Sequence, residues 1–198
     1  ATRIAGLRLA LKEPRAVAPD DPAVTTSGDM FGARALIGSA DVILMNPPFK
    51  RYEAQDDAPI PAALRSHMIE AVESIACPAV TAEGQWNTLA IYSEYVIKAA
   101  KTGATLGLVL DNKWFHNAGS RSLRRLFKNE CRILAVVTYP HGRFFEGVMI
   151  ATSMVVLQKG PAPDDHEVLF LRIDEPGSTP PTATYDAIRG SQLPPRWS

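Results

Sequence analysis

Nearly unbroken hydrophobic runs alternate along this chain with segments whose apolar residues recur every three or four positions. Runs of roughly four to eight apolar residues are typical of strands buried on both faces of a parallel sheet. Four stretches have this character, and the shortest of them, DVILMN, ends in an asparagine followed by two prolines. The pattern predicts strands within 41–46, 104–112, 131–140 and 148–160.

Helical spacing appears in the segments between these runs. Residues 87–103 place apolar side chains on one face, with Asn87 as a plausible N-cap and Gly103 just after the end. A second helix is predicted at 120–130, capped by Ser120. Further helices are predicted at 62–75 and, as the last turns of a longer helix, at 3–12.

The order of these elements predicts an α/β fold. Helices separate the first three runs, whereas only HGRFFEG joins the third to the fourth, and so short a loop demands antiparallel pairing. We therefore expect a mostly parallel sheet with one antiparallel strand at its end. Residues 1–160 form this domain, with 50–85 as an excursion rather than core. Residues 161–198 supply an edge strand and a Pro-rich tail that leads to a missing domain.

Composition and charge narrow the function classes only slightly. The chain has 198 residues, 46% of them hydrophobic, and its 21 basic residues balance 21 acidic ones, so a DNA contact would need a local basic patch. Cys77 and Cys131 lack metal-like spacing and are predicted to be reduced structural thiols, and no metal site is predicted. Without a leader or an apolar run long enough to span a membrane, a cytoplasmic location is the default.

The loop after the first hydrophobic run carries the clearest chemistry. Pro47 and Pro48 have no N–H to donate to a ladder, so neighbouring carbonyls stay available as acceptors. Asn46 adds a side-chain oxygen, and Phe49 offers a flat surface on which a ring can stack. An amine with two N–H bonds on an aromatic ring fits these groups. The alternative is a turn in which Asn46 caps the strand and Phe49 packs into the core.

NPPF after DVILM resembles motif IV of the N6-adenine DNA methyltransferases, whose pattern is Asn or Asp, two prolines and an aromatic residue. The resemblance extends over 1–160. It implies a Rossmann-like methyltransferase fold, S-adenosylmethionine as the cofactor and a flipped adenine of double-stranded DNA as the substrate. It makes Asn46, Pro47, Pro48 and Phe49 the catalytic residues, with the target nitrogen donating to Asn46 and to the Pro47 carbonyl.

Two weaker matches add residues by position. SGDMF is similar to the family's third motif, which implies that Asp29 and Met30 bind the cofactor; the alternative is that Asp29 only forms an Asx turn. HGRFFEG corresponds to motif VIII, which implies that Phe145 stacks on the target base together with Phe49, unless Phe145 only closes the hairpin. The partners implied are DNA and a restriction or specificity subunit or domain.

The chain departs from the family in lacking a glycine-rich first motif after a buried strand. We therefore expect the distal portion of a methyltransferase domain, without its target recognition domain, to bind S-adenosylmethionine weakly and to be inactive alone. Two other functions stay open. One is a protein-glutamine or ribosomal RNA methyltransferase, which uses a similar loop. The other is a non-catalytic DNA-binding or assembly module with a degenerate fold.

Overall fold

The computed structural model describes residues 30–48, 61–76, 78–82, 88–139 and 151–172. The chain divides into two compact units, residues 1–33 and 34–198. Of the first unit, the described part is one 3₁₀ turn, Met30–Ala33. The helix predicted at 3–12, the loop 141–147 and the tail after residue 175 lie outside the described residues.

A five-stranded sheet forms the centre of the second unit. Its strands are β1 (Val42–Met45), β2 (Thr105–Asp111), β3 (Cys131–Tyr139), β4 (Thr152–Lys159) and β5 (Leu169–Arg172), in the spatial order β1-β2-β4-β3-β5. β1 pairs with β2, and β3 with β5, in parallel, whereas β4 runs antiparallel to both of its neighbours. Four strands thus share one direction, which confirms the predicted α/β class and the mostly parallel sheet.

The antiparallel strand lies inside this sheet rather than at its end, which corrects its predicted position. Its pairing with β3 is the one that the short connection requires. Its other edge pairs with β2, and its Val155 and Leu157 are fully buried. The sequence predicts which strands pair through a short loop. The sequence does not predict that β4, besides pairing with β3, also pairs with β2.

The described residues form four helices besides this sheet: α1 (Arg34–Ser39), α2 (Ala62–Glu73), α3 (Thr88–Ala99) and α4 (Arg121–Glu130). The last three confirm the predicted helices, while α1 was not predicted because its six residues are too few to show a period. Ser120 makes no side-chain capping bond, contrary to expectation. Gly103 does adopt a left-handed conformation, with φ of 85°, in the turn between α3 and β2.

The core is built around α3, which contacts the other three helices and β2. Its Ile91, Tyr95 and Ile97 are almost completely buried. In α2, Met68 and Val72 are also buried, at 1% and 0% exposure, so this part of the predicted excursion contributes to the core after all. Its polar residues mask this role because they lie on the opposite face of the helix.

β1 is the least buried of the strands that were expected to be central. Val42 and Leu44 are 41% and 64% exposed, which contradicts the prediction of burial on both faces. Val42 and Leu44 alternate with the half-buried Ile43 and Met45, so one face of this edge strand is exposed and the other is partly covered. Leu44 lies across from Gly107, and a Cβ there would come within 2.7 Å of its side chain, so the missing side chain makes room for Leu44.

Cys131, at the start of β3, confirms one of the two predicted reduced thiols, and Cys77 lies outside the described residues. Burial raises the pKa of Cys131 from 9.0 to about 12. Keeping the thiol neutral therefore stabilises the fold fully below pH 9, and this contribution is lost as the pH rises towards 12. No described helix is long and apolar enough to span a membrane.

We expect Cys131 to resist thiol reagents while the protein is folded. Its thiolate population at pH 8 should be about 1,000-fold lower than that of an exposed cysteine, in proportion to the pKa shift. In a Cys77→Ser background, Ellman's reagent should label this thiol promptly in guanidinium chloride and far more slowly in buffer. Equal labelling rates in the two solutions would contradict the burial.

Candidate active site

The predicted catalytic loop directly follows β1, at the carboxyl edge of the sheet. Because β1 and β2 are parallel, with Met45 opposite Leu108, both strands present their carboxyl ends at this edge. Asn46 and Pro48 are exposed and Pro47 is buried. The Asn46 side chain therefore lies at the surface, at the carboxyl end of β1.

One side chain from outside the loop holds it. The hydroxyl of Thr88 donates to the carbonyl of Pro48 across 2.6 Å. Thr88 is the first residue of α3 and is 5% exposed. This bond fixes the direction of the Pro48 carbonyl. The acceptors that the motif resemblance assigns to the target amine are the Asn46 side chain and the Pro47 carbonyl.

A buried carboxylate anchors the helix that carries Thr88. Glu94 is 0% exposed, and its two oxygens accept bonds from the backbone N–H groups of Val80 and Thr81 at 2.8 and 2.7 Å. The Thr81 hydroxyl adds a third bond at 2.5 Å. Lys98, one turn further along α3, pairs with Glu94 at 2.6 Å and donates to the Ala76 carbonyl. This network compensates the buried charge and ties the segment after α2 to α3.

The end of β2 adds polar groups to the same edge. The Asp111 carboxylate accepts from the backbone N–H of Lys113 at 2.6 Å and begins a 3₁₀ turn. The side-chain oxygen of Asn112 is buried, and within the part of the chain that the structure describes it has no hydrogen-bond partner. Trp114 ties this turn to β4, because its indole N–H donates to the buried Ser153 hydroxyl at 2.8 Å.

The structure places three of the predicted catalytic residues, Asn46, Pro47 and Pro48, together at the end of β1. The fourth, Phe49, lies outside the described residues. So do Asp29, predicted for the cofactor, and Phe145, predicted for the base. Met30 is half-buried in the 3₁₀ turn of the first unit. The roles of all these residues stay predictions.

Thr88 is the residue that sequence reasoning missed. A threonine at the start of a helix commonly caps that helix. The sequence pattern therefore does not show whether the Thr88 hydroxyl bonds to its own helix or to a distant loop. Only the loop's shortage of N–H groups hinted that an outside donor was needed. As for metals, the described residues bring no three His, Cys, Asp or Glu side chains together.

Solved structures with a similar fold are methyltransferases and restriction enzymes. The type IIG restriction endonuclease BpuSI has a TM-score of 0.59 at 19% identity, and a putative class I S-adenosylmethionine-dependent methyltransferase from Listeria monocytogenes has 0.52 at 17%. The M protein of the type I restriction enzyme EcoKI has a TM-score of 0.50 at 15% identity. These likenesses confirm the Rossmann-like methyltransferase fold that the sequence predicts.

The matches cover most of this chain but a minor part of the others. They span 72%, 78% and 92% of this chain, and 16%, 42% and 35% of BpuSI, the Listeria protein and the EcoKI M protein respectively. Among curated protein sequences, nothing matches. The family model described as N-6 DNA methylase matches residues 22–184, well over half of the 198. On this match, the chain belongs to the N-6 DNA methylase family.

Proposed function

We propose that this chain contributes the target-base side of a DNA methyltransferase that transfers a methyl group from S-adenosylmethionine to the N6 of adenine. The observation that carries the proposal is the exposed Asn46 amide at the carboxyl end of β1, beside two prolines. Ligands of open α/β sheets bind at this edge. Membership in the N-6 DNA methylase family favours DNA over the protein and ribosomal RNA substrates that the sequence left open.

The loop's contribution to catalysis would be to accept hydrogen bonds from the target amine. The N6 of adenine is a weak nucleophile, because its lone pair is delocalised into the ring. Two N–H bonds accepted by the Asn46 oxygen and the Pro47 carbonyl would favour the pyramidal nitrogen that can attack. The same acceptors would stabilise the positive charge that develops on the nitrogen and would orient its lone pair towards the methyl group. S-adenosylmethionine, when bound, supplies an electrophilic methyl group.

The target base would have to leave the duplex to reach this loop. Flipping costs a few kcal/mol, and stacking on aromatic rings offsets part of that cost. We assign this stacking to Phe49 and Phe145, and cofactor contact to Asp29 and Met30. These assignments follow from the motifs that the four residues match, and each can be tested by substitution in an active protein.

The proposal includes a role in restriction-modification or phage defence, alongside a restriction or specificity subunit or domain. It draws support from the fold likeness to BpuSI, a type IIG restriction endonuclease, and to the M protein of EcoKI, a type I restriction enzyme. The match to only part of each of these proteins is consistent with further domains around this one. DNA sequence recognition would then come from such a domain or partner.

Product analysis tests the proposed function. The intact protein, expressed from its complete gene, is incubated with tritiated S-adenosylmethionine and, in separate reactions, with genomic DNA that lacks adenine methylation, with ribosomal RNA or with a protein extract. We expect the label in N6-methyladenine after digestion to nucleosides. Label in cytosine would overturn the adenine assignment. Label in RNA or glutamine would favour the alternative methyltransferases, and no transfer to any of these substrates would favour a degenerate module.

A further inference from the structure

We infer that Thr88 is a positioning residue for the proposed methyl transfer, because its hydroxyl holds the Pro48 carbonyl and so fixes the geometry of the Asn46-Pro47-Pro48 acceptor loop. The inference rests on the proposed function. It adds a residue from another helix, 40 positions away in sequence, to a site otherwise built from one short segment.

The loop needs an external donor because of its own composition. Pro47 and Pro48 bring no N–H groups, so two successive peptide units cannot donate to β2 or to a turn. Their rings restrict φ, and each proline also holds the residue before it near an extended ψ, so Pro48 is the one of the three residues whose ψ is not limited by a following ring. A hydrogen bond to the Pro48 carbonyl removes this freedom at the last of the three residues. At 2.6 Å, the bond from Thr88 is at the short end of the range for a hydroxyl donor.

The donor itself is held rigidly. Thr88 is almost completely buried, and α3 is enclosed by the other helices and β2. The Glu94 carboxylate, which pairs with Lys98, accepts bonds from the backbone of Val80 and Thr81 and so ties α3 to the segment after α2. A hydrogen-bond donor on a fixed helix restrains the conformation of the loop, whereas a donor on a mobile surface segment would move together with the loop.

The same bond limits the acceptors that a substrate amine can use. A carbonyl oxygen has two lone pairs, and the Thr88 hydroxyl takes one of those on Pro48 and directs this oxygen towards the start of α3. The Asn46 oxygen and the Pro47 carbonyl are then the pair assigned to the amine. Losing the bond would therefore affect the alignment of the nitrogen more than the binding of DNA, since binding draws mainly on phosphate contacts elsewhere.

The test compares Thr88→Val with Thr88→Ser in the intact protein, using the tritium assay at saturating and limiting DNA. Valine keeps the shape and removes the donor, and we expect kcat to fall about 10-fold to 100-fold with little change in KM for DNA or for S-adenosylmethionine. Serine keeps the hydroxyl and should retain most of the activity. Thr102→Val, at an exposed threonine after α3, serves as the matched control.

Thermal unfolding separates positioning from a folding defect. If Thr88→Val melts well below the wild type, Thr88→Cys replaces it, because a thiol keeps the size and donates only weakly. If the wild type is active and a folded Thr88→Val variant is equally active, this inference alone is overturned. It is also overturned if Thr88→Ser loses as much activity as Thr88→Val. A wild type without transferase activity overturns the proposed function, and this inference with it.

Discussion

Replacing Asn46 by alanine is expected to reduce methyl transfer by at least about 100-fold, the scale on which removing one preorganised polar group acts on a developing charge. Alanine removes the side-chain acceptor and leaves the Pro47 carbonyl alone to hold the target amine. The tritium assay measures this loss, and equilibrium titration should find cofactor binding little changed. Since Asn46 is exposed, the melting temperature should stay that of the wild type.

Asn46→Asp is the matched variant, because it keeps an oxygen acceptor at the same position and agrees with the pattern of Asn or Asp in motif IV. It should retain more activity than alanine, since the position needs an acceptor and not an amide donor. Full activity of Asn46→Ala would remove this loop from the mechanism. Equal losses in alanine and aspartate would show that the amide N–H₂ matters instead.

Replacing Glu94 by alanine is expected to cost about 3–5 kcal/mol of stability, the range seen when one partner of a buried ion pair is removed. The change leaves the ammonium group of Lys98 buried at 6% exposure without its counter-charge. It also strips the backbone N–H groups of Val80 and Thr81 of their acceptor. Urea unfolding followed by tryptophan fluorescence would show the midpoint fall.

Two further variants locate the cause of that loss. Glu94→Gln keeps an acceptor and removes the charge, so it should fall between the wild type and alanine. Glu70→Ala removes an exposed glutamate from the neighbouring helix α2 and should change stability by no more than about 0.5 kcal/mol. If Glu94→Ala unfolds at the same urea concentration as Glu70→Ala, the network does not stabilise α3.

The sequence alone predicted the elements whose signals are local. Helices α2, α3 and α4 follow from the helical spacing of apolar residues, and the four strands follow from unbroken hydrophobic runs. The left-handed turn at Gly103 follows from the freedom of glycine. The short connection also identified β3 and β4 as an antiparallel pair. Each of these features depends on residues a few positions apart, so the pattern along the chain contains the information.

The order of strands in the sheet was decided by contacts between distant segments. β4 lies between β2 and β3, and β1 is left at the edge with Leu44 exposed. A hydrophobic run indicates that a strand can be buried, but not which neighbours will bury it. The same limit explains why α2, in a polar stretch, turned out to bury Met68 and Val72.

The candidate site shows the same division between local sequence signals and contacts that only the tertiary structure reveals. The sequence alone predicted its chemistry, because Asn46, Pro47 and Pro48 are consecutive and their acceptor groups can be recognised without any distant residue. Only the tertiary structure decided its geometry. Thr88 reaches Pro48, and Glu94 fixes α3, through contacts across 40 and 14 positions. Such contacts form only when packing brings separate elements together, and no local pattern encodes them.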